Sequence, residues 1–119
     1  MADSARVSSG LNSPRDLHWS PEEKAAARRA FELALNREKE TTIQQAKDKA
    51  AKIEDADDLS MLERWLTHRR QEIDRTYDYR YSMLILVFAG LLRTRRLDEN
   101  ELEGLAPEKI EEIRFIAGM

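Results

Sequence analysis

Apolar residues in this chain recur with three different rhythms, and those rhythms set the order of elements. From Pro21 to about Ile53 the chain contains no glycine and no further proline, and Ala, Glu, Lys, Arg and Gln dominate. These are strong helix formers. Phe31, Leu35, Ile43, Ala46, Ala50 and Ile53 recur at steps of three, four or a multiple. A stripe that narrow cannot hold a helix by itself, so the pattern predicts a partner helix. A second series follows the same steps: Leu59, Leu62, Leu66, Arg69, Ile73, Tyr77, Arg80, Leu84, Phe88 and Leu91. It reads as a heptad-like seam that Arg69 and Arg80 interrupt. The stretch Arg69–Leu92 joins a half rich in charge and tyrosine to the one long apolar run of the chain. Within it, Tyr77-Asp78-Tyr79-Arg80-Tyr81 alternates with period two, the third rhythm, so a strand fits the same residues. Pattern alone leaves helix and strand both open here.

Boundary signals divide the chain further. Ser20, Pro21 and Glu23 make a capping box with proline in the first turn, and Trp19 is placed to staple against Ala25 or its neighbours. Acid concentrates at Glu54–Asp58, where Asp57 or Asp58 is the expected cap of the second helix. Arg93, Arg95 and Arg96 suit the carbonyl end of a helix closing near them. Asp98 with Glu101 forms another capping box, and Gly104 is the stop after little more than a turn. Pro107 starts a last helix through Ile110, Ile113 and Ile116, which Gly118 ends. Residues 1–18 mix Ser, Gly, Asn and Pro with single charges and read as a flexible leader. The expected architecture is one helical domain over 19–119. Its stalk is a long antiparallel hairpin over about 20–80, and its head is a group of short helices over about 81–118.

Composition narrows the function classes. Hydrophobic residues make up 41% and charged residues 36%, a balance suited to paired amphipathic helices rather than a thick core. The 20 basic and 23 acidic side chains nearly cancel. Arg64, Arg69, Arg70, Arg75 and Arg80 are interleaved with Glu63, Glu72, Asp74 and Asp78, which repel phosphate, so nucleic acid is not an expected partner. Catalysis lacks its usual parts: no phosphate loop, nucleophile elbow or carboxylate pair with a plausible pocket occurs. His68 and Glu72 share a helical face, but two ligands do not make a metal site. Asp74 and Asp78 read as a salt-bridge ladder with Arg70 and Arg75. No enzyme, cofactor or metal is therefore expected. The absence of cysteine and of an apolar signal core suits a cytoplasmic address. Met83–Ala89 is far shorter than the ~20 residues of a membrane span. Interleaved arginine and tyrosine instead resemble an interface composition. The seam arginines then either pair across a dimer or partner, or the seam closes an internal hairpin; the residues alone leave both open.

The residues Arg70, Glu72-Ile73-Asp74, Tyr77-Asp78, Arg80, Ser82, Val87-Phe88-Ala89 and Leu91-Leu92 resemble the fluorescence recovery protein family. Trp19-Ser20, Phe31, Arg37-Glu38 and Asp57-Asp58-Leu59 extend the similarity, which spans about Trp19 to Ile116. The resemblance implies an all-α protomer, and so a helical Arg69–Leu92, dimerising through its long helices. It implies no chemical catalysis. Family members bind the C-terminal domain of the photoactivated orange carotenoid protein of cyanobacteria and hasten its return from red to orange. The candidate partner and dimer surface is Leu62, Trp65, Leu66, Arg70, Ile73, Asp74 and Tyr77; the candidate head surface is Leu86, Phe88 and Glu112. The chain departs from the family pattern at Ser60, Glu63 and Arg64, where tryptophan, histidine and aspartate are usual. Two expectations follow: a divergent recovery factor for a carotenoid protein, or the same dimeric scaffold serving another protein.

Overall fold

Four α-helices form among the described residues. The structure is a computed structural model and describes residues 18–118; the expected leader lies outside the described residues except for its last, His18. The elements are α1 (Pro21–Ala51), α2 (Ala56–Thr76), α3 (Leu84–Arg93), a 3₁₀ turn (Glu99–Leu102) and α4 (Pro107–Ala117). The α1 capping box is formed, with Glu23 N to Ser20 Oγ at 3.1 Å and Ser20 N to Glu23 Oε1 at 3.0 Å. At 31 residues, α1 is ~46 Å long, and α2 folds back along its far half. The molecule accordingly measures 67 × 26 × 24 Å. Asp55, not Asp57 or Asp58, caps α2, its side chain accepting from Asp58 N at 2.9 Å. Only Asp55 has the extended backbone a cap requires; Asp57 and Asp58 already sit in the first turn, beside its positive end.

The expected continuous helix through Arg69–Leu92 is broken. It stops at Thr76, and Tyr77–Met83 run as an extended segment and turn before α3 begins. Among the described residues no strand forms. The period-two tyrosines explain the break. On an extended backbone, residues at i, i+2 and i+4 share a side, so Tyr77, Tyr79 and Tyr81 all lie along α1. Tyr77 and Tyr79 meet Phe31 edge-on at 5.5 and 4.7 Å, and Tyr81 lies 5.6 Å from Trp19. The Arg28 guanidinium caps the Tyr79 ring at 4.0 Å. A helix would turn successive residues by about 100°, keeping Tyr77 and Tyr81 near one side and carrying Tyr79 away from α1. Each aromatic pair contributes about 1 kcal/mol beyond its area, which outweighs the lost helical turn. Asp78 points the other way and takes Arg80 in a bidentate pair, with contacts of 2.9 and 2.5 Å. The expected ladder of Asp78 with Arg70 and Arg75 is therefore replaced by this local one.

The core of the head is the apolar run, with Leu84, Ile85, Phe88, Ala89 and Leu91 fully enclosed. Leu97, Leu102, Leu105, Ile113 and Ala117 close it from the C-terminal side. Trp19, just before α1, and Ala26, Ala27, Ala30, Phe31 and Ala34 of α1 also belong to it, so this core draws on residues well outside 81–118. Of the expected stripe, Phe31 joins this core and Leu35 packs against it, while Ile43 and Ala50 are exposed. Small side chains let backbone approach closely: at Gly104, φ 108°, an added Cβ would sit 2.6 Å from that of Ala26. Trp19 is buried beneath Tyr81 and the Lys109 ammonium, whereas Ala25 is exposed, so no staple to Ala25 forms.

One ion pair ties the start of α1 to the last helix. Glu23 is buried and accepts from Lys109 Nζ at 2.9 and 3.0 Å and from Ala106 N at 2.9 Å. Burial pushes its carboxyl pKa up. Lys109 and the Ser20 and Ala106 N–H groups outweigh that and hold it at about 2. A depressed carboxylate stabilises the fold above its unfolded pKa and loses that contribution as pH falls through the folded one. Urea unfolding is therefore expected to lose on the order of 3 kcal/mol between pH 4.5 and pH 2 from this group. Glu23→Gln should be less stable at neutral pH and lose less over that window, the remaining slope coming from other paired carboxylates such as Glu101 and Asp78. An equally steep variant would show that the slope comes from elsewhere.

Candidate protein-interaction site

A buried carboxylate lies where stalk meets head. Glu38 continues the alanine stripe of α1 one turn past Ala34, and its side chain is only 6% exposed. Its Oε2 accepts from Arg69 Nη2 of α2, and its Oε1 lies 3.1 Å from Arg96 Nε in the loop after α3. The Tyr77 hydroxyl lies 3.1 Å from Glu38 Oε1 and 3.2 Å from Ala34 O. Arg69 also reaches Thr42 Oγ1 at 3.3 Å and Glu72 at 3.4 Å. Arg69 therefore pairs inside its own hairpin, and its Glu72 contact replaces the expected His68–Glu72 pair. Burial raises the Tyr77 phenol pKa, and the adjacent Glu38 carboxylate raises it further. The phenol stays a neutral donor. Half-buried Tyr77 sets its ring on Phe31 and its hydroxyl on Glu38, on the head side of the stalk.

The rest of the expected partner surface divides in two. Leu66, Arg70, Ile73 and Asp74 come together with Lys39, Thr42 and Ile43 around a groove of about 490 Å³ on one side of the stalk. Leu62 and Trp65 line a second groove near the tip, about 280 Å³, with Met61 beside them and Lys49 Nζ 5.1 Å from the Trp65 ring. Ser60, Glu63 and Arg64 are exposed on α2 and line neither groove. Helix α2 has no buried residue at all. Ile43 and Leu66, which share the first groove, remain 55% and 40% exposed, an apolar stripe the single chain does not cover, and Leu59 and Met61 are exposed nearer the tip.

On the head, Leu86 is 44% exposed and Glu112 is exposed, but Phe88 is wholly buried and cannot be a contact residue. The same four-residue spacing that put Phe88 on the seam turns it into the core once α3 starts afresh at Leu84. Phe115, missed in the sequence, is 81% exposed on α4. The signal was present: it lies off the stripe of Ile110, Ile113 and Ile116. The buried charges Glu23, Glu38 and Lys109 were also missed as site residues.

Residues 19–117 match the family described as photoprotection regulator fluorescence recovery protein. The chain is 36% identical over 99 residues to the fluorescence recovery protein of Synechocystis sp. PCC 6803, covering 83% of this chain and 91% of that relative. The solved structure of the Fremyella diplosiphon fluorescence recovery protein superposes with a TM-score of 0.81 at 38% identity, covering 86% of this chain and 100% of that one. The Synechocystis structure gives a TM-score of 0.80 at 35% identity with the same coverage.

Removing Arg69 or Tyr77 from the Glu38 cluster tests its internal order. Arg69→Met leaves a buried carboxylate oxygen without its main donor and is expected to cost about 3 kcal/mol in urea unfolding. Tyr77→Phe removes one neutral donor and should cost about 1 kcal/mol. Equal losses would mean that Arg69 is not the principal partner.

Proposed function

The chain belongs to the fluorescence recovery protein family, and from that membership we propose that it is a non-catalytic regulator which binds the C-terminal domain of photoactivated orange carotenoid protein and speeds its return to the orange form. The observation that carries this reading is the extent of the match, which runs through stalk, linker and head rather than one helical hairpin. Such a regulator needs no reacting groups. It shortens the return by binding the route back, or the compact product, more tightly than the extended active form. In this proposal a second copy packs at the groove around Arg70 and Asp74, and the head positions Leu86 and Glu112 face the carotenoid protein. The departures from the family pattern at Ser60, Glu63 and Arg64 lie outside that groove and leave its lining intact.

The same proposal makes the protein a cytoplasmic homodimer. Its support is the uncovered stalk: a helix with no buried residue gains little from one neighbour and leaves its apolar stripe to a second copy. Arg70 and Asp74 beside that stripe would fix the register of the pair, as polar seam positions do.

Adding excess protein to photoactivated orange carotenoid protein is expected to shorten the red-to-orange decay. An unchanged decay would overturn the recovery role and return the dimer to some other protein partner. Light scattering of the native chain should give twice the 13.9 kDa protomer mass, and Leu66→Asp should bring it close to that single mass. A native mass near the protomer would overturn the dimer.

A further inference from the structure

Beside the Glu38 cluster, on the side away from Tyr77, a cleft of about 370 Å³ opens between α1, α2 and the loop after α3. Arg37, Arg69, Arg95 and Arg96 line it, with Glu38 as the sole carboxylate of the lining. These four cations differ in what they have left to give. Arg37 is held bidentate by Glu101, at 2.9 and 2.5 Å, and also feels Asp98. Arg69 spends its nitrogens on Glu38, Glu72 and Thr42. Arg96 commits only Nε to Glu38, at 3.1 Å. Among the described residues, Arg95 has no side-chain hydrogen bond or ion pair. Glu38 itself is nearly enclosed and shared among two guanidiniums and a phenol, so it offers the cleft little opposing charge.

The backbone gives a second, independent reason to single out Arg95. Helix α3 ends in a Schellman turn, with Arg96 N bonded to Leu91 O at 2.8 Å and Arg95 N to Leu92 O at 3.2 Å. Arg95 occupies its left-handed position at φ 62°. Glycine is the usual residue there, because a Cβ strains this conformation. At its other positive-φ positions, 104 and 118, the described chain does use glycine. Arginine thus adds strain to this turn and contributes one uncommitted guanidinium to a cleft already rich in them. A costly conformation kept for a side chain is a pointer to function.

We infer that this cleft binds an oxyanion, a carboxylate or phosphate group, taken in a fork by Arg95 and the free terminal nitrogens of Arg96. Arg37 and Arg69 add favourable potential without being released from their own partners. Paired guanidinium N–H groups match two oxygens of such an anion in plane, and charge assistance makes those bonds the strong ones. The anion can come free from solution or as the acidic side chains of a polypeptide.

The test follows arginine side-chain Nε–H signals by NMR on the full chain, at constant ionic strength, during titration with inorganic phosphate and, separately, with a polyglutamate peptide. Saturable shifts at Arg95 and Arg96 are expected. A response to phosphate alone assigns a free anion, and a response to the peptide assigns acidic side chains. Arg95→Gly should weaken binding about tenfold, while raising Tm by a few degrees as the strained turn relaxes. Arg96→Gln, which leaves that turn residue in place, should weaken binding without the gain in Tm. No shift with either titrant, or Arg95→Gly binding as tightly as the native chain, would overturn the assignment.

Discussion

The Glu38 carboxylate is the constraint on which the remaining structure depends. An ionised group that is almost fully enclosed is tolerable only with partners supplied at close range. Those partners come from α2, from the tyrosine linker and from the loop after α3, so one side chain of α1 fixes the position of three other segments. The pairing matters more for register than for net stability. The α1 face around it is a run of alanines, against which a neighbour shifted by one turn would pack almost as well. A carboxylate with a single set of donors removes that degeneracy.

Glu23 and Lys109 do the corresponding work at the other end of the buried half of α1. Between these two polar pins lie Phe31, Tyr77 and Tyr79, with Trp19 and Tyr81 at the Glu23 end, and their rings fill the space that alanine leaves. The arrangement explains why α1 enters the head without a tightly interlocked apolar seam of its own. Its small side chains admit the backbone of other elements, and the specificity resides in two ion pairs and an aromatic row.

Features governed by adjacent residues were legible in the sequence. The capping boxes at Ser20–Glu23 and Asp98–Glu101, proline at the start of α4 and Gly118 at its end all depend on neighbours within a turn, and all are present. So was the grouping of Leu66, Arg70, Ile73 and Asp74, which follows from helical spacing alone. The break at Tyr77 was half legible. Its period-two alternation was visible and did mean extended backbone, but what the rings pack against is Phe31, far back in α1, and not a neighbouring strand. The break in turn sent Tyr77 and Phe88 to faces that an unbroken helix would not give them. The buried charges were hidden for a similar reason. Glu38 and Arg69 are 31 residues apart and Glu23 and Lys109 are 86 apart, and nothing local distinguishes such residues from solvated ones.

Helix α1 runs through both stalk and head with no glycine or proline inside it. It therefore acts as a ruler. The reach from the stalk tip to the head is counted in its residues at ~1.5 Å each, and a heptad removed from its middle with its α2 counterpart would shorten that reach by ~10 Å while rotating the head by only ~20°. Length and orientation are thereby encoded in separate places: one in the span of a single helix, the other in the tyrosine linker where the second helix lets go.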